Sequence, residues 1–477
     1  MRIPLLTSTA IATVMAASLG QADAQTASVP ETSLPPSWNQ GIVSKPGAVQ
    51  SANNSNNSAA ALGKPGKANP VPGSIVVNIN ARMVFYGAVE GSSLDQTAGT
   101  GPSNAGAAKL APYMTLGFMR LYFGMDGMMT NGMRYGAAIE VRQNFGAATG
   151  STANNQSSAS TTGSTLFVRR AFSYLAGDQW GIARFGQGDS PLGIFDNGVT
   201  TFQNFDDGGW NGDVQAAIPS NAQVTFPFLS LAGADYGSSK IVYLTPQFGG
   251  MVDFGFSWAP NNAALQDGNC AFAASGCYNL SSSAAASDAT RYTNMFVLAA
   301  RYQQVFGPVA VYGMAAYYGS GSVNYTGATP ATGFNNRFNG LSVGDGGLAV
   351  TYAGVTVGGH ITAGNTNGQG ALQPSGGVHA IAWLAGIQYT SGPFVIGNSF
   401  YNYQSQGSPA LVGLTQRNEN AYAAGLTWTI APGLAIWASY VYGTRHQGDW
   451  NFQTNSPGLA FNNVKSQAFG VGPVIRW

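Results

Sequence analysis

The chain has 477 residues, of which 8% are charged and 12% aromatic, and its formal net charge is +1. Soluble domains carry about 25% charged residues, so an ordinary hydrated surface is excluded as the default. A balance this close to neutral also gives no basic footprint for nucleic acid.

The N-terminus reads as an export signal. Arg2 supplies a positive start, Ile11 to Leu19 an apolar run of small residues, and Ala22-Asp23-Ala24 a cleavage site. A secretory signal peptide over 1–24 is therefore expected, cut before Gln25. A short N-terminal helix of a cytoplasmic protein is disfavoured, because no domain core follows. Residues 25–74 instead hold Pro30, Pro35, Pro36, Pro46, Pro65, Pro70 and Pro72 around a Ser/Asn run. That composition cannot bury a core and predicts a disordered periplasmic extension. Beyond it no apolar run reaches the roughly 20 residues that a membrane helix needs.

From Ile75 to the end, β-branched and aromatic segments alternate with turn-rich ones. Sixteen strands are predicted, over 75–89, 112–124, 132–145, 164–176, 181–188, 239–246, 250–259, 290–305, 308–319, 346–353, 355–364, 378–390, 393–404, 419–430, 433–445 and 465–477. Short connections carry turn chemistry: Gly177-Asp178, Phe306-Gly307-Pro308, Ala353-Gly354, Ser391-Gly392-Pro393 and Ala431-Pro432-Gly433. The connections between them are long and rich in Ser, Thr, Asn and Gly. Short turns on one rim and long loops on the other mark a transmembrane antiparallel β-barrel. An even strand count lets the first and last strands meet and close the sheet, which lipid requires because it offers no partner to backbone groups.

The faces separate cleanly. In strand 14, Tyr422, Ala424, Leu426, Trp428 and Ile430 oppose Ala421, Ala423, Gly425, Thr427 and Thr429. In strand 3, Met133, Tyr135, Ala137, Ile139 and Val141 oppose Arg134, Gly136, Ala138, Glu140, Arg142 and Asn144. Apolar outside with polar inside implies a wet lumen. A soluble sandwich or β-helix would leave the long/short rhythm unexplained. Cys270 and Cys277 stand close together in a polar loop with no histidine beside them. In an oxidising compartment they are expected to pair as a disulfide rather than bind metal.

Three stretches resemble the general trimeric porins of Gram-negative bacteria: Asp126 to Ala138, Val168-Arg169-Arg170-Ala171-Phe172-Ser173-Tyr174-Leu175 with Gly181 to Pro191, and the last strand. The stretch that begins at Val168 most resembles porins of alphaproteobacteria. The resemblance implies an outer-membrane location among lipid and lipopolysaccharide, a homotrimer, and a channel for passive diffusion of small hydrophilic solutes, with no cofactor. It also implies reading of the last strand by the barrel assembly machinery. Phe469, Val471, Pro473, Ile475 and Trp477 share one face there, and the terminal Trp departs from the usual Phe. Tyr174 and Gln187 depart too, standing where family members often have Gly and Arg.

The family's long loop after strand 5 folds inward and narrows the barrel; here that connection runs from Asp189 to about Ser238. It holds Asp189, Asp196, Asp206, Asp207, Asp213 and Asp235 and no Lys or Arg. Arg82, Arg120, Arg134, Arg142, Arg169 and Arg184 fall on the lumen face of strands 1 to 5. Acid facing guanidinium across a narrow gap sets up a transverse field that low-dielectric walls focus. The plainer alternative is a solvated loop and ordinary lumen residues. Arg170 has outward parity, which calls for a bulge or a covering protomer.

Asp206, Asp207 and Asp213 lack the spacing of a calcium loop, and His360 reads as a pore-lining residue near Thr356 and Thr362. Three scattered histidines make no catalytic pair, so an outer-membrane lipase or protease is not expected. Two rival functions stay open. One is a sugar-selective channel with Tyr312, Tyr318 and Tyr401 as a stacking track; the other is a non-conducting structural barrel tethered through 25–74.

Overall fold

Period-two sequences with one apolar face form strands only where that face is buried or in lipid. The computed structural model describes residues 71–95, 112–144, 166–177, 179–195, 214–229, 233–262, 283–284, 292–325, 337–408, 411 and 416–476. In chain order the barrel strands are β1 (Ile75–Ser92), β2 (Tyr113–Met128), β3 (Arg134–Asn144), β4 (Leu166–Gly177), β5 (Gly181–Gln187), β6 (Ser239–Leu244), β7 (Val252–Asn261) and β8 (Thr293–Phe306). They continue with β9 (Val309–Gly321), β10 (Ser342–Tyr352), β11 (Val355–Asn365), β12 (Ala380–Ser391), β13 (Phe394–Ser405), β14 (Arg417–Ala431), β15 (Leu434–Gln447) and β16 (Asn463–Arg476).

Each strand pairs antiparallel with the next, and β1 pairs with both β2 and β16. Val84, for example, sits between Phe118 and Val474. The sheet is thus a closed sixteen-strand barrel, as hydrocarbon demands.

The expected faces hold. Tyr422, Trp428 and Ile430 are exposed on the outside of β14 while Ala421 and Ala423 are buried. Ile139 is exposed and Ala138 and Glu140 are buried on β3. Phe469, Val471 and Ile475 face out on β16; Trp477 lies outside the described residues. Along the barrel, outward Val77, Phe85, Phe254, Trp258, Ile387 and Phe400 make an apolar coat.

All sixteen predicted strands are present, with edges moved. β10 begins at Ser342 rather than 346, and β1 runs on to Ser92. Short strands Ser283–Ala284, Val323–Tyr325 and Arg337–Phe338 form a small separate sheet, and Trp450–Asn451 pairs with Ser456–Pro457. Two- and three-residue strands carry no readable period, so sequence pattern could not find them.

The turns explain the tight rim. Ala353 (φ 47°) and Gly354 (φ 80°) join the paired residues Tyr352 and Val355. Two successive positive φ values make a turn whose twist matches the flanking strands. A Cβ on Gly354 would come within 2.5 Å of the Thr390 carbonyl oxygen, so only glycine fits there.

One irregularity shapes the interior. Opposite β3, Glu140 faces Arg170 but Val141 faces Val168, leaving Arg169 as an extra residue in β4. This bulge turns Arg169 and Arg170 inward together, and both are buried. It answers the parity problem of Arg170 without a covering protomer. Gln187 Nε2 donates to the carbonyls of Arg169 (2.9 Å) and Val168 (3.3 Å). It thus satisfies backbone acceptors beside the bulge.

Candidate functional site

The inward face of β1–β4 and β16 carries an unusual density of guanidinium. Arg82 pairs directly with Arg120 on β2 and with Arg476 on β16, and Arg120 pairs with Arg142 on β3. Four arginines thus lie in one row across four adjacent strands. Like charges directly opposite repel. Aromatic rings offset this: Arg82, Arg120 and Arg142 lie over Phe118 at 5.5, 4.5 and 4.2 Å. Arg82 and Arg476 also lie over Trp437 at 4.8 and 5.1 Å. Stacked guanidinium keeps its charge while its plane is fixed.

Next to this row, the bulge builds a buried charge cluster. Glu140 Oε1 accepts from Arg169 Nη1 at 2.7 Å, Oε2 accepts from Arg170 Nη1, and Arg120 Nε lies 3.8 Å away. Arg170 also grips Asp189 with both arms of its fork, Nε to Oδ2 and Nη2 to Oδ1, each at 2.7 Å. The Tyr236 ring caps Arg169 and Arg170 at 4.4 and 4.5 Å.

Asp189 begins the long connection and Tyr236 stands near its end, so the cluster clamps both stems. The Ser190 N–H donates to the Asp235 carboxylate (3.1 Å to Oδ2), and Lys240 Nζ donates to the carbonyls of Gly188, Asp235 and Ser238. Burial alone would push the Asp189 carboxyl up, but the Arg170 fork overrides it and holds the group below the usual range. For Asp235 the balance falls the other way. Burial pushes it up to about 6, against the pull of Lys240 and with Asp189 adding to the rise.

Between the stems, residues 214–229 reach other parts of the wall. Val214 and Ala217 of a short 3-10 turn and Ala222, Val224, Phe226 and Phe228 join a buried cluster with Val84, Tyr86 and Phe118. The same cluster takes in Tyr401, Ala421, Trp437 and Ala468 from β13 to β16. A helical turn at Pro191–Phe195 packs Leu192 against β7–β10 and Phe195 against β6 and β8. Phe195 lies 4.7 Å from Arg301, which is paired with Asp253 at 2.9 Å.

Of the arginines predicted to line the lumen, Arg82, Arg120, Arg169 and Arg184 are buried inside. Arg142 is half-buried in the row, and Arg134 stands half-buried near the β2–β3 turn, outside the row. Arg184 lies 5.0 Å over Phe172. Asp189 and Asp235 belong to the stem clamp, while Asp196, Asp206, Asp207 and Asp213 lie outside the described residues, as do Cys270 and Cys277.

Two departures from the family pattern have local roles. Tyr174 donates to Asp126 at 2.5 Å, and Gln187 serves the bulge rather than lining a passage. His360, read from the sequence as pore-lining, is buried with its ring on Asp345 at 2.6 Å and against Phe228. Tyr312, Tyr318 and Tyr401 are all buried, and Tyr401 donates to the Thr225 carbonyl; these three rings form no open stacking track. Sequence reasoning does not single out Glu140, Arg476 or Glu419 as site residues. Glu140 stands on the lumen face of strand 3, but Arg170 joins Arg120 and Arg169 around it only through a bulge in β4.

Comparison with known proteins decides the family. A model described as Gram-negative porin matches residues 78–448. The chain belongs to the Gram-negative porin family. It is an outer-membrane porin channel, and its apolar coat is the lipid face. Similar solved structures include the anion-selective porin from Comamonas acidovorans, at 12% identity and a TM-score of 0.48, over 85% of this chain and 100% of that one. A triple mutant of the Rhodopseudomonas blastica porin matches at 12% identity and 0.45, over 84% and 100%. No match to a curated protein is found.

Proposed function

We propose that this porin passes small hydrophilic solutes and ions by passive diffusion through a lumen narrowed by the 189–238 connection. The observation that carries the reading is a segment clamped at one wall by Arg170–Asp189 and packed through 214–229 on lumen-facing residues of β13–β16. Its acids, Asp196, Asp206, Asp207 and Asp213, would then face the arginine row, with Asp189 at the hinge. Water held in that field gains orientation. An apolar solute displacing it forfeits hydrogen bonds, whereas a polar one replaces them.

The wider setting belongs to the same proposal: a homotrimer in lipid and lipopolysaccharide, delivered by a signal over 1–24 and assembled through its last strand. Residues 25–74 would extend into the periplasm, and Cys270–Cys277 would close a loop as a disulfide. Burial of Tyr312, Tyr318 and Tyr401 removes support for a sugar-selective track.

Planar-bilayer recording in a salt gradient tests the constriction. Stepwise ohmic currents with modest selectivity are expected. Replacing Asp206 and Asp207 together by asparagine should move the reversal potential toward that of anions. An unmoved potential would place those acids away from the passage.

A further inference from the structure

We propose that Glu419 and Arg445 are positioning residues: from the far wall they fix segment 221–227 in the lumen and so set the width of the passage. The inference rests on the constriction reading.

Four lumen-facing side chains from four consecutive strands take up the backbone of this short segment. Glu419 on β14 accepts the Thr225 N–H through Oε2 and the Thr225 hydroxyl through Oε1 at 3.4 Å. Arg445 on β15 donates through Nε to Glu419 Oε1 and through Nη1 to the Asn221 carbonyl, both at 3.0 Å. Tyr401 on β13 donates to the Thr225 carbonyl at 3.0 Å, and Ser466 on β16 to the Ala222 carbonyl at 2.9 Å. From the turn after β11, the Gln369 N–H donates to the Pro227 carbonyl at 3.0 Å.

Glu419 is the decisive member. It is fully buried, and it is the acceptor in the set where the other four groups donate to the segment. A buried carboxylate taking a backbone N–H makes a charge-assisted bond, roughly twice as strong as a neutral one. It also orients Arg445, whose second arm then reaches Asn221. Residues 224–227 belong to no ladder, so their backbone groups take side chains, water or lone backbone groups as partners, and here the wall supplies side chains. The stem clamp at Asp189 and this contact therefore hold the connection at two separate walls.

The test uses the full-chain porin with Glu419→Gln, which keeps the shape, removes the charge and turns one acceptor into a donor. Two readouts are taken. Hydrogen exchange of peptide 221–227, followed by mass spectrometry, should accelerate by about tenfold or more, the factor that loss of one charge-assisted hydrogen bond corresponds to. Single-channel current should lose its single open level and show sublevels with several-fold greater noise. Wild-type exchange together with a single quiet level would overturn the proposal. If Glu419→Gln does not fold, Tyr401→Phe removes only the Thr225 carbonyl bond and should give the same changes at smaller amplitude; unchanged exchange and noise there overturn it equally. Faster exchange with no current even from the wild type would leave the anchoring intact and sink the channel reading instead.

Discussion

Replacing Glu140 with alanine should cost this barrel about 3–5 kcal/mol of folding stability, the range for breaking a buried ion pair from one side. The carboxylate is fully buried and is shared by Arg169, Arg170 and the more distant Arg120. Taking it away leaves Arg169 without its ion-pair partner at 2.7 Å, and Arg170 relying on Asp189 alone. The guanidiniums cannot respond by losing their protons, since arginine stays charged in proteins. The effect should show as a lower denaturant midpoint in detergent and a folded band that unfolds at lower temperature on gels. Because Arg170 also holds Asp189, the stem of the long connection should loosen as well. A midpoint within experimental error of wild type would mean that the cluster is hydrated and contributes little.

The other large effect concerns the outer wall. Leu426 stands near the middle of the outward row from Tyr422 to Ile430, with Thr427 beside it pointing inward. Nine residues fit the roughly 9–11 that a tilted strand needs to cross hydrocarbon, so Leu426 should meet the bilayer midplane. Leu426→Arg is expected to cost about 2–4 kcal/mol, the depth-dependent penalty for a cation on the lipid face. Thr427→Arg should fold with a smaller loss and act chiefly on current, because its charge enters the lumen. The comparison is made by reversible unfolding from liposomes, with conductance of the folded fraction as a further readout. Equal costs at the two neighbours would contradict the assignment of faces.

These two residues also show what could be read in advance. Outward parity at Leu426 follows from a rule that lipid enforces on every turn of the pleat, so strands of nine or more residues announce themselves. Closure is legible from the count, which includes shorter strands such as β5 and β6: sixteen segments, an even number, leave no edge to hide. The Glu140 cluster is not legible, because a bulge adds one residue without altering composition, and parity counted across it places Arg170 on the wrong face. Gln187 reads as a missing pore cation, whereas its amide serves backbone beside that bulge. Glu419 and Arg445 stand on inward positions, yet their partners Thr225 and Asn221 are 194 and 224 positions away in the chain and lie in a segment with no period. Contacts that depend on where an irregular segment comes to rest leave no pattern in the strand that receives it.

A closed barrel with a lipid-facing coat and a polar interior should let water-soluble molecules through. Liposome swelling measures this most directly: the folded chain is reconstituted and the vesicles are placed in isotonic solutions of sugars of increasing size. Swelling rates should fall smoothly as solute size rises and should not saturate with concentration. Vesicles that carry the folded, inserted protein yet fail to swell in the smallest sugar would contradict the account.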